Sequence, residues 1–123
     1  MFDKAKDEDY RVAILTPAEI YGKEVLNLID SDVQIKGIAD IAGGGFSNVN
    51  RILPEGLSVE WKDNMLRPFI FDIFQKDGNI SDEEITQVFN NGIGMCIIVD
   101  SKEVGKVFSQ KISRPAFIAG SIV

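Results

Sequence analysis

Residues Asp40 to Arg51 read DIAGGGFSNVNR, with Gly43, Gly44 and Gly45 set between a short apolar run and a segment able to begin a helix. Glycines let successive N–H groups turn toward one point, and a helix start adds partial positive charge, so this arrangement suits a phosphate or another anion. The same glycines would equally serve a plain turn, and neither the dinucleotide fingerprint GxGxxG nor the P-loop pattern GxxxxGK[ST] occurs. A second segment, FNNGIGM from Phe89 to Met95, puts Asn90, Asn91 and Gly92 between a helix end and an apolar strand. The asparagines offer amide donors and acceptors, and Asn and Gly also tolerate the left-handed backbone of a helix cap. Asp40, at the end of a strand and beside the glycines, is the one carboxylate placed as a candidate catalytic group. It would repel a phosphate unless a metal or a lysine intervened.

The rest of the composition narrows the chemistry. There is no histidine among the 123 residues. That excludes histidine-based triads, histidine metal clusters and histidine general bases, leaving carboxylates, lysines, backbone amides or a partner's residues. The carboxylates of KDEDY and SDEE read as solvated or capping groups, and no metal site is expected. The single cysteine, Cys96, lies in the apolar run MCIIV, where nothing favours the thiolate, so a buried structural thiol is expected. A formal charge of -6, from 13 basic and 19 acidic residues without a dense basic cluster, argues against nucleic acid as a partner. No apolar run approaches the roughly 18 to 20 residues that span a bilayer, and the charged start MFDKAKDEDY lacks a secretory pattern. No membrane partner and a cytoplasmic location are the resulting expectations.

The elements that must position these segments follow from periodicity. Residues 1–10 are mostly charged and are expected to form a flexible arm or linker, with the domain spanning 11–123. Pro17 suits the first turn of a helix running to about Ile29, with Ile20, Tyr21, Val25, Leu28 and Ile29 at three- and four-residue spacing. Val33 to Ile41 reads as a strand, followed by the glycines and a short helix that Pro54 and Gly56 terminate. Leu57 to Trp61 reads as a brief strand. Pro68 opens a helix through Phe74, and Ser81-Asp82-Glu83-Glu84 has the form of a capping box opening another to about Phe89. Gly92 to Val99 is apolar enough for a central strand, Lys102 to Gln110 reads as an outer helix, and Ala116 to Val123 as a closing strand. Such interleaving argues for an α/β (α+β) domain in which helices cover a sheet.

Taken together, LTPAEIY at Leu15 to Tyr21, DIAGGGF at Asp40 to Phe46, RILP at Arg51 to Pro54 and FNNGIGM at Phe89 to Met95 resemble the C-terminal domain of the AIR synthetase (phosphoribosylformylglycinamidine cyclo-ligase) family. The similarity runs from about Leu15 to the C-terminus. It implies a three-layer sandwich, a mixed β-sheet covered by helices, forming the second part of a longer chain. By this resemblance an N-terminal half supplies most of the ATP site and the main dimer contact. The implied reaction uses ATP and Mg2+ to activate the formamide oxygen of formylglycinamidine ribonucleotide, after which ring closure gives aminoimidazole ribonucleotide in purine biosynthesis. Gly43, Gly44, Gly45, Asn90, Asn91 and Gly92 would then line the substrate/phosphate cleft, and this chain alone would hold no cofactor and be inactive without its ATP-binding partner.

The chain departs from the family at side chains rather than at glycines. Asp40 and Ala42 stand where the HITGGG-type segment has histidine and threonine, and Ala18 and Glu19 replace a hydroxyl and a basic residue in the LTP segment. Two hydroxyls, an imidazole and a cation are lost while two carboxylates are gained. The alternative expectation is therefore a non-catalytic or repurposed ligand-binding or interaction module of the same fold. Related two-domain enzymes such as thiamine-monophosphate kinases share the plan, but FNNGIGM and GGGF with RILP favour the AIR synthetase family.

Overall fold

The computed structural model describes residues 4–63, 65 and 67–123, residues 4–9 by backbone only. Helix α1 spans Lys4–Leu15, α2 Gly22–Ile29, strand β1 Ile35–Asp40, the single-turn α3 Ser47–Asn50 and β2 Val59–Trp61. Then come α4 at Phe69–Asp77, α5 at Asp82–Val88, β3 at Met95–Val99, a 3-10 turn at Ser101–Glu103, α6 at Val104–Ser109 and β4 at Gly120–Ile122.

Two local expectations change at the N-terminal end. The charged stretch expected to be an arm is helical from Lys4, residues 1–3 of that stretch lying outside the described residues. No proline or glycine interrupts it, and Tyr10 packs edge-on against Phe74 of α4, with ring centroids 6.2 Å apart. A contact with a residue so distant in sequence leaves no trace in local hydrophobic periodicity. Pro17 does not open the next helix but follows the end of α1, where Thr16 Oγ1 donates to Val12 O at 2.7 Å. A residue before proline is held out of helical geometry, so the chain runs irregularly until Gly22.

In place of one mixed sheet, the described residues form two separate two-stranded antiparallel ladders. β1 pairs with β3, setting Asp40 opposite Met95 and Ile38 opposite Ile97, with an irregularity between Ile35 and Gly37. β2 pairs with β4, setting Trp61 opposite Gly120. Alternation of helices and strands along the chain specifies that sheets are covered, but pairing partners are chosen by nonlocal backbone hydrogen bonds that the pattern does not encode. The result is a mixed domain of helices and strands.

The core lies between the ladders. Ala39, Ile41, Phe46, Val49 and Ile93 are buried together, with Val59, Trp61, Cys96, Ile98 and Ala119 packed around them. Phe46, next to the glycines, stacks on Trp61 at 4.5 Å between centroids, which fastens the glycine turn to β2. A second apolar centre joins Phe71, Phe74 and Phe89, where the Phe74 and Phe89 rings stack at 5.6 Å. It fixes the end of α5, and with it the start of the FNNGIGM segment.

Glu103 is almost fully buried, at 4% exposure. Its carboxylate accepts from the Gln34 N–H at 3.2 Å and pairs with Lys106 at 3.2 Å. The charge is thus compensated, and it ties the entry of β1 to α6. The Glu103 hydrogen bond raises the pKa of Lys106.

Candidate functional site

The glycine turn and the asparagine segment meet at one end of the β1–β3 ladder. Ile41 N–H donates to Gly94 O at 2.9 Å, and Phe46 N–H donates to Thr86 O at 3.1 Å. Between these bonds the glycine turn lies directly on the end of α5. Gly45 has φ +52, and a Cβ there would meet Thr86 O and lie 2.7 Å from Phe89 O. Only glycine fits that contact.

The turn is organised from within by two side chains. Gly45 N–H closes it on Ala42 O at 3.1 Å. Ser47 Oγ donates to Gly44 O at 2.6 Å, while buried Asn48 donates through Nδ2 to Gly45 O at 2.8 Å and to Ala42 O and Gly43 O at 3.4 Å. The carbonyls of residues 42–45 are therefore gathered toward α3. Because the C=O and the following N–H of a peptide point in opposite directions, the amides of Gly43 and Gly44 face the other way. They make no hydrogen bond among the described residues. Two adjacent unpaired donors on a braced turn have the chemistry to hold an anion.

The asparagines divide their work. Asn91 is buried in the left-handed region, φ 51, and its Nδ2 donates to Ile85 O and Phe89 O, both at 3.0 Å, closing the end of α5. Its Oδ1 is buried and meets no donor among the described residues. Asn90 is half-buried, and its Oδ1 accepts from Gly92 N–H at 3.0 Å. Asn90 Nδ2 has no acceptor among the described residues. At the helix start, Ser81 accepts from Glu84 N–H at 3.1 Å, the first half of the expected capping box.

Asp40 is exposed where β1 runs into the glycines. Nearby Tyr21 carries a phenol whose pKa is raised chiefly by burial, with the negative charges of Glu19 and Asp40 adding and Arg114 opposing. Glu19 pairs with Arg114 at 2.5 Å. The carboxylate gained at position 19 is thus neutralised by a cation from the far end of the chain. Arg114 also approaches Glu24 at 4.0 Å, and Ser113 Oγ donates to that carboxylate, the main reason its pKa is lowered. Beside this cluster a groove of about 410 Å³ is lined by Lys23, Glu24, Asn27, Lys111, Ile112 and Ser113.

Cys96 packs against the core, and burial pushes its thiol up to about 11, which keeps it protonated and unreactive at neutral pH. Among the described residues, no three His, Cys, Asp or Glu side chains converge as a metal set, and no helix is long and apolar enough to cross a membrane.

Sequence reasoning singled out the glycines and asparagines but missed Asn48 and Arg51 as parts of the same turn. Asn48 had a signal: an asparagine three residues after the last glycine can reach back to the preceding carbonyls. Arg51 had none beyond its place in RILP. Its Nη2 lies 3.0 Å from where a Cβ on Gly44 would sit.

The ladder pair and the braced glycine turn at the end of β1 define a small helix-and-strand domain. The chain belongs to the family described as AIR synthase related protein, C-terminal domain, whose pattern matches residues 2–123. It is 40% identical over 114 residues to a phosphoribosylformylglycinamidine cyclo-ligase of Methanocaldococcus jannaschii, covering 89% of this chain and 32% of that protein. A protein of the same name from Finegoldia magna is 42% identical over 119 residues, covering 93% of this chain and 34% of its own length. A third, from Methanococcus maripaludis, is 43% identical over 114 residues, covering 89% and 31%. The chain spans about a third of the length of these relatives.

Proposed function

We propose that this chain acts as the C-terminal domain of a phosphoribosylformylglycinamidine cyclo-ligase, forming one wall of the cleft in which formylglycinamidine ribonucleotide is cyclised to aminoimidazole ribonucleotide. The observation that carries this reading is the pair of outward amides on the braced turn at Gly43 and Gly44. In this reading those amides bind a phosphate and Asn90 offers its free amide group. Gly45, Asn91 and Gly92 shape the wall by packing and capping. Stabilising phosphate charge with fixed backbone donors needs no histidine. In this reading, as the family resemblance implies, ATP and Mg2+ belong to an N-terminal half on the same or a separate chain.

The same reading gives a cytoplasmic location and, for this domain, a three-layer sandwich with helices covering its strands. Leu15 and Ile20 are each 80% exposed, and Phe108, Phe117, Ile118 and Val123 are about half exposed, which supports an apolar contact with the N-terminal half or a second copy in a homodimer. The test is to combine the chain with an ATP-binding N-terminal half from a relative and assay aminoimidazole ribonucleotide. Activity that Gly44→Val abolishes while the fold persists is expected, and no ATP hydrolysis by the chain alone. Activity unaffected by Gly44→Val would sink the glycine assignment.

A second reading, a repurposed binding module, rests on Asp40, Ala42, Ala18 and Glu19. A properly folded chain that binds the N-terminal half yet restores no activity would establish it. The Glu19–Arg114 pair weakens one part of that case, because the carboxylate is already compensated.

A further inference from the structure

Among the described residues, β3 pairs on one side only, with β1. Ile41 N–H donates to Gly94 O, and from that bond the ladder alternates. Cys96, opposite Ala39, and Ile98, opposite Gly37, therefore turn their peptide groups to β1, whereas the N–H and C=O of Met95 and Ile97 point to the other edge. Those groups meet no hydrogen-bonding partner among the described residues. Both residues are half-buried, where unpaired peptide groups are costly. The other strands are guarded: β1 carries Lys36, a break in register between Ile35 and Gly37, and exposed Asp40, while β2 and β4 are three residues long and β2 carries Glu60. β3, reading MCIIV, has neither a charge nor a proline along its five residues. Asp100, the first charge beyond it, is paired with Lys36 at 3.7 Å.

We propose that the free edge of β3 is the contact surface for a second copy of this chain, the two β3 strands pairing antiparallel about a two-fold axis beside Cys96. In that register Met95 of each copy exchanges backbone hydrogen bonds with Ile97 of the other, so the same outward groups satisfy one another on both sides of the axis. A two-fold contact brings identical residues close together. In a chain of formal charge -6 a charged strand would resist this, and MCIIV does not. The inference names the surface for the homodimer of the reading above and does not depend on the glycine turn. Strands this short bury less than the roughly 1,200 Å² of a stable interface, so a dimer that dissociates on dilution is expected.

The test combines sedimentation velocity with NMR amide hydrogen exchange on the labelled chain, from micromolar to millimolar concentration. A dimer that grows with concentration is expected, and with it exchange at Met95 and Ile97 about tenfold slower, while Cys96 and Ile98, already bonded to β1, change little. Ile97→Pro removes an outward N–H and no bond to β1, so it should fold, as thermal unfolding checks, and remain monomeric. A chain that stays monomeric throughout overturns the proposal. So does a dimer in which Met95 and Ile97 exchange as fast as in the dilute chain, or a folded Ile97→Pro variant that still dimerises. If that variant does not fold, exchange in the unaltered chain decides alone. Slow exchange at Met95 and Ile97 that depends only on an added N-terminal half from a relative gives the edge to that half and overturns self-pairing. Each of these failures leaves the cyclo-ligase reading standing, because that reading rests on the glycine turn.

Discussion

The ring of Tyr21 lies across the α-carbon of Gly94, with Cε2 and Cζ 2.7 and 2.8 Å from where a side chain at Gly94 would begin. This contact joins the LTPAEIY segment to FNNGIGM and gives the second glycine of GIG a steric reason, since its backbone angle is one that any residue adopts. Gly94→Ala is predicted to destabilise the fold by about 1–3 kcal/mol through overpacking. In a Tyr21→Ala background the same change is predicted to cost much less, and urea unfolding of the four proteins gives the coupling. Equal costs in both backgrounds would refute the pairing.

The three consecutive glycines are predicted to be unequal. Gly43 has open space around its Cβ position, whereas Gly45 combines φ +52 with the carbonyls of Thr86 and Phe89. Gly43→Ala is expected to change stability by under about 1 kcal/mol. Gly45→Ala is expected to cost about 3 kcal/mol or more, from backbone strain and collision together. Similar unfolding midpoints for the two variants would contradict the turn geometry.

Asn48 is predicted to be a structural requirement of the glycine turn. Its buried amide donates to three carbonyls, so Asn48→Ala should cost about 1–3 kcal/mol by leaving them unpaired. Asn48→Asp should cost more, because a carboxylate cannot donate and would face the same oxygens. Chemical denaturation ranks the two variants, and the reverse order would rule out the donor role.

Cys96 sets a stability loss at alkaline pH. Burial raises its thiol from 9.0 to about 11, so between those values the unfolded chain binds fewer protons than the folded one. Stability from this group is complete below about pH 9 and falls as pH rises toward about 11. Cys96→Ala should remove that part of the alkaline loss. Iodoacetamide should label the native thiol slowly at pH 8 and rapidly in denaturant, and fast native labelling would contradict the burial.

Asp40 is predicted to oppose the anion. It ends β1 exposed, immediately before the glycine turn. Asp40→Asn should strengthen phosphate binding about twofold at low ionic strength, with the gain vanishing at high salt. In the reconstituted cyclo-ligase assay, loss of turnover despite tighter binding would give Asp40 its catalytic role. Unchanged affinity at low salt would remove it from the site.

Much of the element order was legible because it depends on local rules. Pro54 and Gly56 close the segment after α3, Ser81 caps α5, and the apolar run at Met95–Val99 forms β3 within the longer strand expected from Gly92. α1 was hidden because its anchor, Tyr10 on Phe74, is tertiary. The ladders were hidden because β1 and β3, like β2 and β4, meet across long intervening segments.

The candidate site divides in the same way. Family membership, the glycine run, the asparagine segment and the departures at Asp40, Ala42, Ala18 and Glu19 are properties of the sequence itself, since residue types in fixed order carry them. Tertiary structure alone decided that the amides of Gly43 and Gly44 face away from the carbonyls gathered by Ser47 and Asn48, that Arg51 comes to the turn, and that Arg114 neutralises Glu19. Those facts depend on the direction of peptide groups and on charges brought together from distant segments, which only the folded chain fixes.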